Sequence, residues 1–586
     1  MCGESKVLIN PLNKEITIFL NSIEGCSKKS IEIINEKYSS TITDDLSNGH
    51  ITSNVCMVAA SFLKLNPKEL SVQLATQLNS LNIYEKVEAA GPGFVNITLK
   101  RNDFLSILET IKEEKEFFGQ TDTKNGERVQ IEFVSANPTG PLHVGHGRGA
   151  AYGDAIARIL TAAGSEVEKE YYINDAGRQI DILTASVMFK LNKSNSDFFP
   201  QNAYKGTYIL DIATNIKNDK KIEIKVDDSI FLNLPKDPEE EIDKLISTLK
   251  NSYKNEWLII KDFSLSSILE SIKSDLKDFN VEFDVWYKES SLGNLDDNKS
   301  KISKSIKKLQ DGGEAYIKDA AVWLNTEKSG DDKHRVLVRD DGRATYFASD
   351  VAYHKDKVDR KFDKLINVWG ADHHGYIKRI EASIEALGDK KEKLIVKLVQ
   401  FANLFKDGKK VKMSTRSGDF YSLRDLINDI GPDAARFYYL SKQADQHLDF
   451  DIDLARSDSK ENIFYYIQYA HARIFSLEEK FHQKTKSKEI SRANAFNASY
   501  LKCDKLIHEI SKYPSVVKKS AATLHPHLII FYLRDLSQLL HSFYNDNHVL
   551  SEDPENLELI ISSLSSVRQV ISNGLILIGI SPIQEM

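Results

Sequence analysis

The alternation of apolar and polar positions between residues 129 and 173 follows two different periods. Residues 129–134 and 167–173 are short apolar runs rich in β-branched side chains, which is typical of buried strands. Between them the apolar positions recur at helical spacing from His143 until Gly164 ends the pattern. A strand, a helix and a second strand joined by short turns indicate the beginning of a parallel nucleotide-binding sheet.

The middle of the chain continues this pattern after an interruption. From about 190 to 285 the sequence is rich in lysine, asparagine and serine, and we interpret it as an insertion with a helix at 264–279. Residues 283–290 and 365–369 return to strand character. We therefore predict a Rossmann-like parallel-sheet catalytic domain over residues 120–400.

The N-terminal 115 residues predict a separate α+β domain. Residues 54–62 and 69–81 have helical periodicity, whereas residues 94–99 alternate like a strand after a Gly-Pro-Gly turn. A mostly polar stretch at 114–127 is the expected linker to the parallel sheet.

The C-terminal part of the chain, residues 457–586, is predicted to be a helical bundle. Its predicted helices cover residues 462–475, 495–510, 527–545 and 555–577. We assign the aromatic residues within 463–473 mainly to bundle packing, because aromatic stripes at helical spacing usually face a core. Residues 401–456 form a connector, in which the alternation at 447–454 predicts a strand. The whole chain is thus expected to be multidomain, α/β plus all-α.

Composition narrows the class of protein. The 586 residues suffice for about three or four domains, and 41% hydrophobic with 28% charged residues is typical of a globular protein. The sequence contains no run approaching the ~18 apolar residues of a membrane span. The four scattered cysteines predict neither a disulfide framework nor a metal cluster, so a reducing cytoplasm is expected. A net charge of −7 disfavours indiscriminate nucleic-acid binding.

The first candidate for chemistry is His143-Val144-Gly145-His146, at the start of the helix that follows the first strand. The N-terminus of a helix favours phosphate, and two imidazoles can donate to charge that develops on it. Gly145 has no side chain, so a nucleotide could lie against the helix start. Two solvated surface histidines are the alternative. A zinc site is disfavoured, since the sequence offers no cysteine pair or third ligand nearby.

Two further patterns lie between residues 340 and 420. Asp341-Gly342 predicts a tight hairpin, and the helix that follows it places Tyr346 and Asp350 four apart on one face. Residues 408–418 form a lysine-rich loop. Such a loop is usually solvated, but mobile cations could also close over a triphosphate.

These motifs resemble the two signatures of class I aminoacyl-tRNA synthetases. His143 to His146 is similar to the HIGH sequence, and Met413-Ser414 in its basic run is similar to KMSKR about 270 residues later. Residues 135–138 and 153–154 around the first motif resemble those of arginyl-tRNA synthetases. Thr415 stands where the second lysine of KMSKR is expected, which leaves open whether Lys409, Lys412 or Arg416 supplies that charge.

The resemblance covers nearly the whole chain. Residues 52–64 and 91–99 resemble the N-terminal domain of arginyl-tRNA synthetases, which contacts the tRNA elbow. Residues 457–586 resemble the α-helical anticodon-binding domain. The resemblance implies an arginine–tRNA ligase that activates L-arginine with ATP and transfers it to the 3′ end of its tRNA. It further implies a cytoplasmic monomer with no membrane partner.

The resemblance also implies a role for individual residues. By this resemblance Glu289 and Asp350 meet the arginine guanidinium, Tyr346 shapes that pocket, and Asn137 holds the α-amino end. The catalytic residues would be His143, His146 and Lys412, and the ATP-binding residues would be His143, Gly145, His146, Gly370, Asp372, Lys412, Met413 and Ser414. Mg²⁺ would be carried by the ATP phosphates, with no metal ligands from the protein.

Two other classes of protein share part of these features. A small nucleotidylyltransferase would have His-x-Gly-His but would not explain the helical C-terminal part or Met413-Ser414. A non-enzymatic tRNA-binding paralogue would keep the fold and lose catalytic residues. His143, His146 and Asp350 are all present, and Thr415 is the feature that favours the paralogue.

Overall fold

The computed structural model describes residues 8–192, 198–411, 420–485, 496, 499–547 and 549–586. The chain divides into two compact units. Unit 1 consists of Met1–Gly126, Arg158–Ser165 and Ser457–Met586, and unit 2 consists of Glu127–Ala157 and Glu166–Arg456.

The N-terminal part of unit 1 has the predicted α+β fold. Its elements are α1 (Asn10–Ser22), α2 (Lys28–Lys37), β1 (Ser40–Ile42), β2 (Ile51–Ser53), α3 (Val55–Leu63), α4 (Pro67–Ser80), β3 (Tyr84–Ala90), β4 (Phe94–Leu99) and α5 (Arg101–Glu114). The strands form an antiparallel sheet in the order β1-β2-β4-β3. Val95, Ile97 and Leu99 of β4 are buried, because side chains alternate across a strand. The Asn66 side chain caps the first turn of α4 and so fixes its start.

Unit 2 contains the remaining strands. Its elements are β5 (Arg128–Glu132), α6 (Val144–Ala162, of which the residues from Arg158 onward belong to unit 1), β6 (Glu166–Ile173), α7 (Arg178–Leu191), α8 (Thr207–Lys220), α9 (Pro238–Ser252), α10 (Lys254–Asp278), β7 (Val285–Lys288), α11 (Lys301–Asp311), β8 (Ala315–Lys318), β9 (Ala321–Leu324), β10 (Arg335–Val338), α12 (Tyr346–Asp359), β11 (Lys364–Gly370), α13 (Ile377–Ala386), β12 (Leu394–Val399), β13 (Ala402–Lys406), β14 (Lys409–Lys410), α14 (Leu423–Ile430), α15 (Pro432–Leu440), β15 (Leu448–Asp451) and α16 (Ile452–Arg456). Two three-stranded sheets, β10-β9-β8 and β14-β13-β15, accompany the main sheet.

The main sheet of unit 2 has five strands in the order β12-β11-β5-β6-β7, and all neighbouring strands are parallel. This confirms the predicted Rossmann-like class. Glu132, the last residue of β5, is paired in register with Asn367 on β11 and Glu170 on β6. The carboxyl ends of parallel strands meet at one edge of a sheet, which is where such sheets bind ligands.

Two local predictions for unit 2 were only partly right. The strand predicted at 447–454 ends at Asp451, because the Asp451 carboxylate accepts hydrogen bonds from the Asp453 and Leu454 N–H groups and starts α16. The hairpin after β10 forms its turn but keeps a single bridge, Val338 to Ala344. Its second strand stops there because the Thr345 side chain caps α12.

The insertion of unit 2 is more ordered than its polar composition indicates. The described residues of the insertion form three helices, α8, α9 and α10, where the sequence analysis predicted one. Each has an apolar face: Ile209, Ile212 and Ile216 are buried on α8, and Leu245 and Leu249 on α9. This spacing of three to four residues is the helical period, and the many lysines had obscured it.

The C-terminal part of unit 1 is helical, as predicted. Its helices are α17 (Ile463–Thr485), α18 (Asp504–Ser511), α19 (Tyr513–Thr523), α20 (His527–Asp546) and α21 (Pro554–Leu577). The helix predicted at 495–510 falls partly outside the described residues. Within unit 1, Arg101 of α5 forms an ion pair with Asp504 of α18 at 2.7 Å. Phe118, in the expected linker, is buried and stacks on Tyr513.

One helix in the described part of the chain is long and apolar enough to cross a membrane by length and composition. It is the stretch Asn556–Leu577 of α21. Of its most apolar window, 67% is buried inside the structure. Burial of this kind is expected for the central helix of a bundle.

Candidate active site

The two histidines of His-x-Gly-His lie together at the start of α6. Their rings stack with centroids 3.8 Å apart. The His143 N–H donates to Nδ1 of His146 at 3.3 Å, and the Gly145 N–H donates to Nδ1 of His143 at 3.0 Å. Because each Nδ1 accepts a hydrogen bond, a neutral ring carries its proton on Nε2. The pair therefore presents two N–H donors.

Both imidazoles are held neutral. Burial, followed by repulsion from His143, lowers the pKa of His146 to about 3. Burial also lowers the pKa of His143 below its ordinary value. At neutral pH the two rings can thus act as hydrogen-bond donors without carrying positive charge.

A phenylalanine connects the two glycines that the sequence analysis assigned to ATP. A Cβ added to Gly145 would lie 3.3 Å from Cδ1 of Phe401, and one added to Gly370 would lie 3.7 Å from its Cζ. The Phe401 side chain is 46% exposed. The start of α6 and the end of β11 therefore both lie beside this ring. Asp372 lies in the turn after β11 and is exposed.

A cluster of carboxylates lies at the carboxyl edge of the main sheet in unit 2. Asp350 accepts a hydrogen bond from the Tyr376 hydroxyl. Burial, together with the negative charges of Glu132 and Glu289, raises the pKa of Asp350 to about 7. Burial also raises the pKa of Glu289, although a hydrogen bond from Tyr172 opposes this effect.

The surroundings of Glu289 and Glu132 differ. Asn174, with its amide nitrogen facing Glu289, donates to Oε2 of Glu289 at 3.1 Å. Glu132 forms a buried ion pair with Lys357 at 2.5 Å. Within the described residues, Glu289 and Asp350 have no comparable ion pair. The cluster thus presents two carboxylates that a cationic ligand could neutralise.

A chain of buried hydrogen bonds connects Lys357, through Asn367 and His354, to the backbone of Asp350. Nζ of Lys357 donates to Oδ1 of Asn367 at 2.8 Å, and Nδ2 of Asn367 lies 2.9 Å from Nε2 of His354. Nδ1 of His354 lies 2.8 Å from the Asp350 carbonyl oxygen. These contacts tie β5 and β11 to α12 and fix the backbone that carries Asp350.

Two residues that the sequence analysis assigned to arginine binding, Tyr346 and Asn137, are exposed. Tyr346 is 66% exposed, although it shares α12 with Asp350. Asn137 is exposed in the loop between β5 and α6. The sequence analysis did not identify Glu132, Tyr172, Tyr376 or Phe401. The assignments of Lys412, Met413 and Ser414, with the neighbouring Thr415 and Arg416, lie outside the described residues, whereas Lys409 lies exposed in β14.

The parallel sheet of unit 2, with paired histidines at the start of the helix after its central strand, defines the catalytic domain of a class I aminoacyl-tRNA synthetase. The family model for the catalytic domain of class I tRNA synthetases (R) matches residues 107–451. The models for the arginyl tRNA synthetase N terminal domain and the DALR anticodon binding domain match residues 13–99 and 467–586. The chain belongs to the arginyl-tRNA synthetase family.

Similar proteins extend over almost the whole chain. The arginine–tRNA ligase of Thioalkalivibrio sulfidiphilus is 42% identical over 558 residues, which cover 93% of this chain and 94% of the relative. That of Acinetobacter baumannii is 40% identical over 571 residues, covering 93% and 95%. The structure of Thermus thermophilus arginyl-tRNA synthetase has a TM-score of 0.73 over 99% of this chain and 100% of that one. At 19% identity this last likeness shows the fold.

Proposed function

We propose that Glu289 and Asp350 bind the guanidinium group of L-arginine as the chain performs the arginine–tRNA ligase reaction. The observation that supports this assignment is a half-buried carboxylate pair with raised pKa values and no ion pair of its own among the described residues. A guanidinium is planar, permanently charged and rich in N–H donors, so it matches two carboxylates in fixed positions. Bound arginine would stabilise the ionised form of both groups.

The same pair would exclude other amino acids. The single ammonium of lysine would pair with one of the two carboxylates and leave the other unpaired. Neutral citrulline would leave both carboxylates without a counter-charge. A site built around buried polar groups rejects a ligand that leaves them unpaired. We therefore expect selection of arginine without a separate editing step. Asn137 would hold the α-amino end, and Tyr346 would border the guanidinium pocket from its exposed position.

The first chemical step joins arginine to ATP. A carboxylate oxygen of arginine attacks the α-phosphorus, and pyrophosphate leaves as its bond to that phosphorus breaks. We assign to His143 and His146 the donation of Nε2–H bonds to the phosphate oxygens, on which negative charge increases in the transition state. In the second step a terminal ribose hydroxyl of the tRNA attacks the arginyl carbonyl, and AMP leaves.

The surface beside Phe401, which Gly145 and Gly370 flank, is our candidate for the nucleoside of ATP. There the exposed Asp372 could accept hydrogen bonds from the ribose hydroxyls. We expect Lys412, Met413 and Ser414 to close on the phosphates. Mg²⁺ would arrive on the phosphate oxygens and neutralise part of their charge.

A row of rings on α17 and α20 is our candidate surface for the tRNA anticodon loop. The rings of Tyr465 and Tyr469 stack at an interplanar angle of 4°, and Tyr469 stacks on His541. The Arg473 guanidinium lies 3.5 Å from the ring centroid of Tyr544. Tyr469 is 38% exposed, so this ring is accessible from solvent, whereas the sequence analysis assigned most of these rings to bundle packing. Exposed rings beside a cation are suited to stacking unpaired bases.

We expect the enzyme to be a cytoplasmic monomer. The substrate assignment is tested by isothermal titration of the enzyme, with tRNA present, with L-arginine, L-citrulline and L-lysine. Arginine should bind at least about 100-fold more tightly than either analogue, because each of them leaves a buried carboxylate unpaired. Similar affinities for arginine and citrulline would exclude the carboxylate pair as the guanidinium site.

A further inference from the structure

We infer that Tyr208, on helix α8 of the insertion, is a positioning residue that holds loop 137–141 in the shape that substrate binding requires. The inference rests on the proposed function of Asn137 in that loop. The Tyr208 hydroxyl donates a hydrogen bond to the Thr139 carbonyl oxygen at 2.9 Å. The insertion thereby contacts the segment that joins β5 to the paired histidines.

Loop 137–141 has few bonds of its own to define its shape. It contains two prolines, which lack an N–H donor, and a tight turn in which the Thr139 N–H donates to the Asn137 carbonyl at 2.8 Å. Pro138 and Gly140 are buried, whereas Asn137 is exposed. Asn137 therefore lies between two fixed carbonyl groups: the Ala136 oxygen accepts from the Tyr171 hydroxyl at 2.8 Å, and the Thr139 oxygen accepts from Tyr208. Loss of the second contact would leave the backbone of Asn137 held from one side.

The Tyr208 ring fits between two glycines. A Cβ added to Gly140 would lie 3.0 Å from the Tyr208 hydroxyl oxygen and 3.1 Å from Cζ. A Cβ added to Gly206 would lie 2.3 Å from Cε1 of the same ring. The Gly206 backbone thus approaches the ring more closely than a side chain would permit, and at Gly140 an added Cβ would require the ring to shift by a few tenths of an ångström. Burial raises the pKa of the Tyr208 phenol, so its hydroxyl remains a donor at neutral pH.

The insertion has other attachments that do not involve the loop. Arg178 of α7 forms ion pairs with Glu239 and Asp243 of α9, and Lys250 pairs with Asp181. Loss of the Tyr208 hydroxyl should therefore leave the insertion docked on α7. The loop alone would lose a constraint.

The direct experiment replaces Tyr208 by phenylalanine, which keeps the ring and removes the hydrogen bond. We expect kcat/KM for arginine to fall about tenfold, because small misplacements of a substrate-binding group carry penalties of this size or larger. The KM for tRNA and the thermal unfolding midpoint should stay close to wild type. Tyr253→Phe is the matched control, since the Tyr253 hydroxyl also donates to a carbonyl within the insertion, that of Lys225. Equal arginine kinetics in the two variants would overturn the inference.

A double-mutant cycle tests the contact itself. Gly140→Ala should impair arginine kinetics through its collision with the Tyr208 ring, and adding Tyr208→Ala should cause little further loss. Fully additive losses would show that the two positions act separately and would contradict the inference. Asn137→Ala separates the two proposals. Suppose that Tyr208→Phe impairs arginine kinetics and Asn137→Ala does not. Tyr208 is then still a positioning residue for loop 137–141, and the proposed binding of the α-amino group by Asn137 is wrong.

Discussion

Replacing Asp350 by asparagine should weaken arginine binding and stabilise the enzyme in the absence of arginine. The structure supplies the reason for both effects. The pKa of Asp350 is raised from 3.8 to about 7 by burial and by the neighbouring carboxylates Glu132 and Glu289. At 1.36 kcal/mol per pKa unit, this difference corresponds to at most about 4 kcal/mol. An ionised Asp350 therefore destabilises the enzyme that has no arginine bound, and a bound cation would remove this destabilisation.

The sign of the pH dependence follows from linkage. A carboxyl that titrates near 3.8 when unfolded and near 7 when folded holds its proton more tightly in the folded state. The destabilisation is therefore absent below about pH 4, grows between pH 4 and 7, and is complete above pH 7. Asp350→Asn should raise the free energy of unfolding by about 2 kcal/mol at pH 8, with about 4 kcal/mol as the upper bound. The gain should disappear near pH 4.

The effect on arginine has the opposite direction. Breaking one partner of a buried ion pair typically costs about 3–5 kcal/mol, which corresponds to a KM for arginine about 10² to 5 × 10³ times higher. The wild-type KM should itself rise by up to about tenfold per pH unit below pH 7, as Asp350 takes up its proton. That rise should be absent in Asp350→Asn.

Aminoacylation at varied arginine concentration and urea unfolding without arginine measure these two effects. Asp359→Asn is a matched control, because Asp359 lies on the same helix in an exposed ion pair with Lys355. The control should behave like the wild type in both assays. An unchanged arginine KM in Asp350→Asn, or a loss of stability at pH 8, would refute the reasoning and make Asp350 a structural carboxylate.

Three further predictions concern ATP and tRNA. His146→Ala should lower kcat by about 10² to 10³ with little change in ATP affinity, since the donor acts on the transition state; single-turnover arginylation near the wild-type rate would contradict this. Arginine-dependent ATP–pyrophosphate exchange should be near background without tRNA, because we expect tRNA binding to be required for closure of loop 408–418. If missing charge in this loop is the cause, Thr415→Lys should partly relieve the requirement for tRNA. Vigorous exchange by the wild-type enzyme without tRNA would exclude the requirement. Tyr469→Ala should raise the KM for tRNA about tenfold and leave the arginine KM unchanged, whereas Phe475→Ala, a second aromatic of α17, is the comparison that should not share this effect.

The order of strands and helices around the paired histidines could be predicted because local patterns determine it. Apolar β-branched runs, a loop rich in proline and glycine, and a helical repeat fixed β5, α6 and β6 to within a few residues. Side-chain capping by Asp451 ends β15 and starts α16, whereas the alternating pattern alone predicted that the strand continues to residue 454. Both signals are local: the alternation predicts a strand, whereas the capping side chain favours a helix start. In so short a stretch the sequence alone does not show which of them determines the structure.

The interior of the candidate site was harder to predict. Glu132 lies at the end of an apolar strand, and its sequence position does not reveal its ion pair. Its partner Lys357 is 225 residues away in sequence. Phe401 lies beside two glycines that are distant in sequence, Gly145 at the start of α6 and Gly370 at the end of β11. Tyr346 and Asp350 share a helix face by spacing, yet the first is exposed and the second faces other carboxylates. Such relations arise from tertiary packing, which a single sequence does not encode in its spacing.

Aminoacylation of total tRNA with each of the twenty labelled amino acids, one at a time with ATP, tests the central claim most directly. Only arginine should be attached, and attachment should require ATP and tRNA together. Replacing Glu289 by glutamine should reduce arginine attachment and narrow the difference between arginine and lysine, because a single ammonium can pair with the one carboxylate that remains. Attachment of a neutral amino acid at a rate comparable to that of arginine would contradict the account, since two buried carboxylates do not accept an uncharged side chain.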